Sequence, residues 1–175
     1  MALMISYVLS FTATVLGIIE PFWKKMSMVL IFNFTGNLIV GISYLLAGGD
    51  GALAGAVICF VACIQVFINY SYTRHEKKIP NFLLAVYLVV FIAVNLIVFK
   101  AWYDVLALAA AVCYVFSISQ QKPATYRILY CLNSTLWIVY DFMAGTYGNL
   151  STHIALAVFT LVSMLVNDRK SKKEI

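Results

Sequence analysis

Charged side chains divide the sequence into long apolar runs. The stretches without Asp, Glu, Lys or Arg are 1–19, 26–49, 51–73, 79–99, 105–121, 128–140 and 142–167. A hydrocarbon core about 30 Å thick takes about 20 apolar residues per helix, so each of the first five stretches predicts one span. The last two are divided only by Asp141. Nearby, Gly145-Thr-Tyr-Gly148-Asn149 has the backbone freedom of a tight connection, so the break belongs there and Asp141 falls inside the sixth helix. The predicted spans are 3–21, 26–47, 51–71, 80–99, 102–120, 124–145 and 149–167. An all-α, polytopic membrane protein with short loops follows.

Composition agrees. The 175 residues are 63% hydrophobic and 11% charged, with mean hydropathy +0.94. A soluble domain is about one quarter charged, which excludes a water-soluble globular enzyme. The first residues, Met-Ala-Leu-Met-Ile-Ser, have neither a basic start nor a small-residue cleavage site, so the first span is expected to be retained.

The net charge of +5 acquires a geography once the spans are drawn. Lys24 and Lys25, then Arg74, Lys77 and Lys78, then Lys122 and Arg127, and finally Arg169, Lys170, Lys172 and Lys173 all fall on one side of a seven-span chain. Only Lys100 falls on the other. The positive-inside rule then puts the N-terminus outside and the C-terminus in the cytoplasm. On that reading Glu20, Glu76, Asp168 and Glu174 belong to the cytoplasmic side, Asp50 and Asp104 to the outer side, and Asp141 alone is acidic within the helices. The basic tail suits anionic lipid, and no nucleic-acid partner is expected.

A shift of 97 positions lays the first three spans over the last three. Leu9, Ala13, Val15, Lys25, Ile31, Ala47, Gly48 and Gly51 then meet Leu106, Ala110, Val112, Lys122, Ile128, Ala144, Gly145 and Gly148. Both halves have a basic loop after their first helix and a Gly-rich turn after their second. The expected organisation is a triple-helix bundle over 1–73, a basic loop and linker helix over 74–100, a second bundle over 101–167, and the tail 168–175. An odd repeat needs the extra helix to make its two copies parallel, related by an axis along the membrane normal.

Polar residues at mid-membrane depth face protein or a watery cavity, because lipid cannot satisfy them. Asn33, Asn37 and Gly41 stack on one face of the second span, and Asn133, Trp137 and Asp141 on one face of the sixth. Across a pseudo-twofold axis the two stripes would face each other, making Asn37, Asn133, Trp137 and Asp141 the candidate solute contacts. The alternatives are that the Asn side chains only hold helices together and that Trp137 is core filling. A carboxylate inside the membrane costs about 2.5–3.5 kcal/mol on insertion scales, which marks Asp141 as functional. Asp141 and His153 lie six residues either side of Tyr147, so antiparallel helices bring them to one depth as a proton-responsive pair. The alternative is an Asp141 hydrated at the outer interface, with His153 merely packing.

Gly48, Gly49, Gly145 and Gly148 are expected at hinges or turns. Gly51 and Gly55 open a small-residue stripe that continues through Cys59 and Cys63, a packing face within the triplet or for a homo-oligomer. The four cysteines lie inside spans without Cys-x-x-Cys spacing, so neither disulfide nor metal site is expected. Phosphate-loop and zinc-protease motifs are absent, and no cofactor or enzymatic activity is expected.

Leu132-Asn-Ser-Thr-Leu-Trp-Ile-Val-Tyr140 resembles the middle-helix segment of a SWEET-type triple-helix bundle, and Glu20-Pro-Phe-Trp-Lys-Lys-Met-Ser27 resembles the stretch that closes a first helix in SWEET and PQ-loop proteins. More closely, Tyr103-Asp-Val-Leu106 through Trp137-Ile-Val-Tyr140 and Met143-Ala-Gly-Thr-Tyr-Gly148 is similar to the bacterial inner-membrane YgjV-like family, of the same SWEET/PQ-loop (MtN3-like) superfamily. The resemblance implies a bacterial inner-membrane location and a SWEET-like 3+1+3 fold. It also implies carriage of a small polar solute by rocking one triplet against the other. Two departures limit it. The third helix of each triplet lacks the sugar-facing Asn, offering Cys59 and Cys63 or Ala157, Phe159 and Thr160. Nor is there a Pro-Gln pair, the first span ending Glu20-Pro21 and the fifth Ser119-Gln120-Gln121. Sugar specificity is therefore not implied. A ligand-binding receptor or sensor of the same fold, and a membrane assembly factor without a cavity, are the rival readings.

Overall fold

The computed structural model describes residues 1–48 and 50–168; Gly49 and tail residues 169–175 lie outside the described residues, as do the surroundings of residues 50, 51 and 168. The chain folds into seven α-helices: α1 Ala2–Ile19, α2 Met26–Ala47, α3 Asp50–Arg74, α4 Asn81–Val98, α5 Asp104–Ile118, α6 Pro123–Ala144 and α7 Tyr147–Ser163. No strand occurs among the described residues. A 3-10 turn, Glu20–Phe22, prolongs α1, and a π-helical turn, Met164–Asp168, prolongs α7.

Local chemistry sets the ends. Pro123 starts α6 where a missing N–H costs nothing, and Pro21 sits in the turn that ends α1. Gly48 and Gly145 close α2 and α6 at φ +72° and +71°, a conformation that side chains resist. Gly148 differs from its expected turn role. α7 starts at Tyr147, so Gly148 lies in its first turn, where a Cβ would come 2.9 Å from the ring of Tyr7 on α1. It is a close-approach residue.

α1, α2, α3, α4 and α7 are long and apolar enough to cross a membrane by length and composition. α5, with 15 residues, rises only about 22 Å. α6 has 22 residues but carries Arg127, Asn133 and Asp141 on its inner face, which lowers its hydropathy. α2 packs between α1 and α3, and α6 between α5 and α7. Contacts of α1 with α7 and of α3 with α5 close the ring, and α4 lies against α3 and α5.

The molecule is apolar outside and polar inside. Phe11, Phe67, Val89, Leu96 and Ile97 are exposed, whereas Ser6, Ser10, Ser43, Asn69, Asn149 and Thr152 are buried. Lipid rewards that inversion, because polar groups must find partners within the protein. The Ser10 hydroxyl donates to Asn149 Oδ1 at 2.8 Å and lies 2.7 Å from the Ser43 hydroxyl, joining α1, α2 and α7. Asp104 closes the loop before α5, its Oδ2 accepting the N–H groups of Lys100 (2.8 Å) and Ala101 (2.9 Å).

Gly55 lies under the ring of Tyr44, and a Cβ there would come 2.8 Å from it. This helix face therefore serves the α2–α3 contact inside one chain. Gly55→Val is expected to displace Tyr44 and destabilise the fold by about 1–3 kcal/mol, read as a lowered midpoint of thermal unfolding in detergent. Gly36→Ala, whose Cβ would meet nothing within 4 Å, should leave the midpoint unchanged.

Candidate functional site

The inner face of α6 carries Tyr126, Tyr130, Asn133, Trp137 and Asp141, spaced four, three, four and four residues apart. It meets a face of α2 carrying Asn33, Asn37 and Tyr44. Between them is a central cavity of about 50 Å³ with residues of α1, α2, α3, α5, α6 and α7 in its lining. Asn37, Asn133, Trp137 and His153 all line it, together with Glu20, Asn33, Tyr114 and Tyr130. That volume holds a few waters, at about 10–15 Å³ for each.

At one end of the cavity, behind His153, stands a carboxylate with three partners. Asp141 has no solvent exposure. Its Oδ1 accepts hydrogen bonds from the hydroxyls of Tyr44 (2.5 Å) and Thr146 (2.7 Å), and its Oδ2 lies 2.6 Å from His153 Nδ1. Trp137 stacks on the His153 ring, centroids 5.5 Å apart, and meets Tyr140 edge-on at 5.1 Å. Asp141 therefore stands behind the lining and reaches the cavity through His153, not as a hydrated interfacial residue.

A second carboxylate lines the cavity at its other end. Glu20 Oε1 accepts from the Tyr126 hydroxyl and from Asn33 Nδ2 at 2.8 Å. The Tyr114 hydroxyl donates to Asn33 Oδ1, and Asn37 Nδ2 lies 2.8 Å from that oxygen and 2.9 Å from the Tyr114 oxygen. Asn133, also buried, contributes an Oδ1 without a hydrogen-bond donor.

One expectation needs correction. Asp141 is not the single acidic side chain inside the helical body, since Glu20 and Asp104 are 3% and 1% exposed. Arg127, within the predicted sixth span, belongs to the second turn of α6, buried, and its guanidinium donates to the carbonyls of Pro21 (2.8 Å) and Trp23 (3.3 Å). Glu20 escaped notice because a carboxylate beside a proline reads as a hydrated helix end. The available signal was Tyr126 and Tyr130, which extend the Asn133–Trp137–Asp141 stripe two turns towards Glu20. Among the described residues, no group of three or more His, Cys, Asp or Glu side chains could hold a metal ion.

Two of the contacts across the centre join residues 97 positions apart: Tyr44 with Asp141, and Asn33 with Tyr130 at 3.5 Å. This is the shift that superposes the two halves of the sequence.

Residues 4–171 match the model of a family described as bacterial inner membrane protein, Imp-YgjV. No curated protein and no solved structure matches the chain.

Tyr44→Phe removes one of the donors to Asp141 and is expected to cost about 1.5–3 kcal/mol, the range for a hydrogen bond to a charged group. In a cycle with Asp141→Asn the two losses should not add, because both act on one contact. Thermal unfolding of the two single variants and the double variant measures the coupling.

Proposed function

This chain belongs to the Imp-YgjV family of bacterial inner membrane proteins, and from that premise we propose that it is a carrier of a small polar solute. Two three-helix halves, α1–α3 and α5–α7, enclose the solute between them, with α4 as linker, in a SWEET-like arrangement. The observation that carries this reading is the polar central cavity lined from both halves.

Symmetry supports the two halves. Among these six helices the neighbour pattern is unchanged when α1, α2 and α3 are exchanged with α5, α6 and α7, whereas α4 lies mainly against α3 and α5. Residues related by a twofold axis touch only near that axis, so the Tyr44–Asp141 and Asn33–Tyr130 contacts favour an axis through the cavity. Alternating access then proceeds by rocking one half against the other, opening one end cluster at a time. Asn37, Asn133 and Trp137 contact the solute. His153, backed by Asp141, alters its hydrogen-bonding and charge on protonation and so makes carriage responsive to pH. Gly48 and Gly145, at the junctions of α2 with α3 and α6 with α7, allow the helices to pivot. The charge distribution favours an outside N-terminus and a cytoplasmic C-terminus.

A cavity of only about 50 Å³ also suits a receptor that binds a ligand without passing it, and uptake separates the two readings. Liposomes holding the purified protein, offered amino acids, amines, vitamins and sugars, should accumulate at least one solute. Trp137→Ala should cut that uptake about tenfold or more. Asp141→Asn should flatten the dependence of that uptake on pH, read from uptake across a pH series. Saturable binding with no uptake of any solute would favour the receptor. For orientation, a fluorescent protein fused after Ile175 should fluoresce, and alkaline phosphatase fused after Gly48 should be active.

A further inference from the structure

Glu20 is buried where α1 ends, and its side chain lines the central cavity. Its two hydrogen-bond donors, Asn33 and Tyr126, are both neutral. Among the described residues no Lys, Arg or His forms an ion pair with it, the carboxylate–imidazole contact being that of Asp141 with His153. Arg127 is adjacent in sequence to Tyr126 but directs its guanidinium to the carbonyls of Pro21 and Trp23. A buried carboxylate without a counter-charge is costly, and a bound cation removes the cost.

A second observation points to the same ligand. Asn133 is 4% exposed and lines the same cavity, and its Oδ1 has no donor. An amide oxygen left unpaired in a membrane interior is an acceptor waiting for a donor or a positive ion. Tyr114 and Tyr130 line the same space, and among the described residues no Lys or Arg does. The site is thus rich in oxygen acceptors and negative when Glu20 is ionised. At about 50 Å³ it is far below the roughly 300–1,000 Å³ of pockets that hold drug-sized ligands. Divalent and transition metals draw on several carboxylate, imidazole or thiolate ligands held together, and among the described residues no group of three or more His, Cys, Asp or Glu could hold one.

We propose that Glu20 and Asn133 supply the principal acceptors of a binding site for a small monovalent cation, either an alkali-metal ion or a simple alkylammonium. The Glu20 carboxylate provides the counter-charge, and the Asn133 amide oxygen and the tyrosine hydroxyls complete the coordination or accept N–H bonds. The inference deepens the carrier reading by naming a cation as the solute or its co-transported partner, and rests on that reading only for the role of the cavity.

Thermal unfolding of the full-length protein in detergent tests it, with NaCl, KCl or methylammonium chloride titrated against N-methylglucamine chloride at constant ionic strength. At least one cation should raise the midpoint saturably, by about 3 °C or more. The alkali salts and methylammonium are separate arms, so the responding arm identifies the kind of cation. Glu20→Gln retains an acceptor for Asn33 and Tyr126 but lacks the charge, and should abolish the rise while leaving the midpoint in N-methylglucamine near that of the parent. Asn133→Ala should raise the half-saturating concentration about fivefold or more, and decides the matter if Glu20→Gln does not fold. No rise with any of the three salts, or a rise that survives in Glu20→Gln, overturns the site. Uptake of a neutral solute in the absence of these cations would leave the carrier reading standing after such a failure.

Discussion

A carboxylate removed from water must be held by donors, and the Asp141 cluster shows how much of this fold answers to that demand. Its partners come from three places: Tyr44 on α2, Thr146 in the α6–α7 connection and His153 on α7. Each bond joins α6 to a different part of the chain. Breaking one leaves a charge or a hydroxyl unsatisfied in a medium that cannot hydrate it, so the helices are locked in rotation as well as in position. Tyr44 reaches Asp141 because Gly55 leaves room for its ring, which gives a packing detail on α3 a part in the electrostatics of α6.

At the Glu20 end of the cavity the same demand is met differently. Glu20 is held by a tyrosine and an amide, within a chain of hydroxyl and amide groups running through Asn33, Tyr114 and Asn37. Arg127 fastens the carbonyl end of the α1 turn instead of pairing with the carboxylate. The cavity between the clusters is small and polar. The proposed carriage would need one cluster to part while the other holds. The proposed carrier and the proposed cation site both draw on that arrangement.

Much of this was legible in the chain. Gaps between charges located seven helices to within a few residues, because the bilayer limits both the length and the polarity of a span. Counting outward from Tyr147 put Asp141 and His153 at one depth, since two helices joined by a short turn run antiparallel. Glu20 was not legible in the same way. Its burial depends on Tyr126, 106 residues later, and on the neighbouring α2, and nothing local distinguishes it from a hydrated helix end. Gly148 misled for a related reason: glycine serves turns and close contacts alike, and which one applies depends on Tyr7 of a distant helix.

Hydrophobic patterning by itself thus determined the class, the number of helices and the polar stripes on α2 and α6, all consequences of local chain chemistry in lipid. Only the tertiary structure decided which stripes meet, that two carboxylates stand at opposite ends of one cavity, and that Asn133 keeps an acceptor without a donor. Those outcomes arise from hydrogen bonds between residues tens to more than a hundred positions apart, whose partners depend on helix rotation and packing.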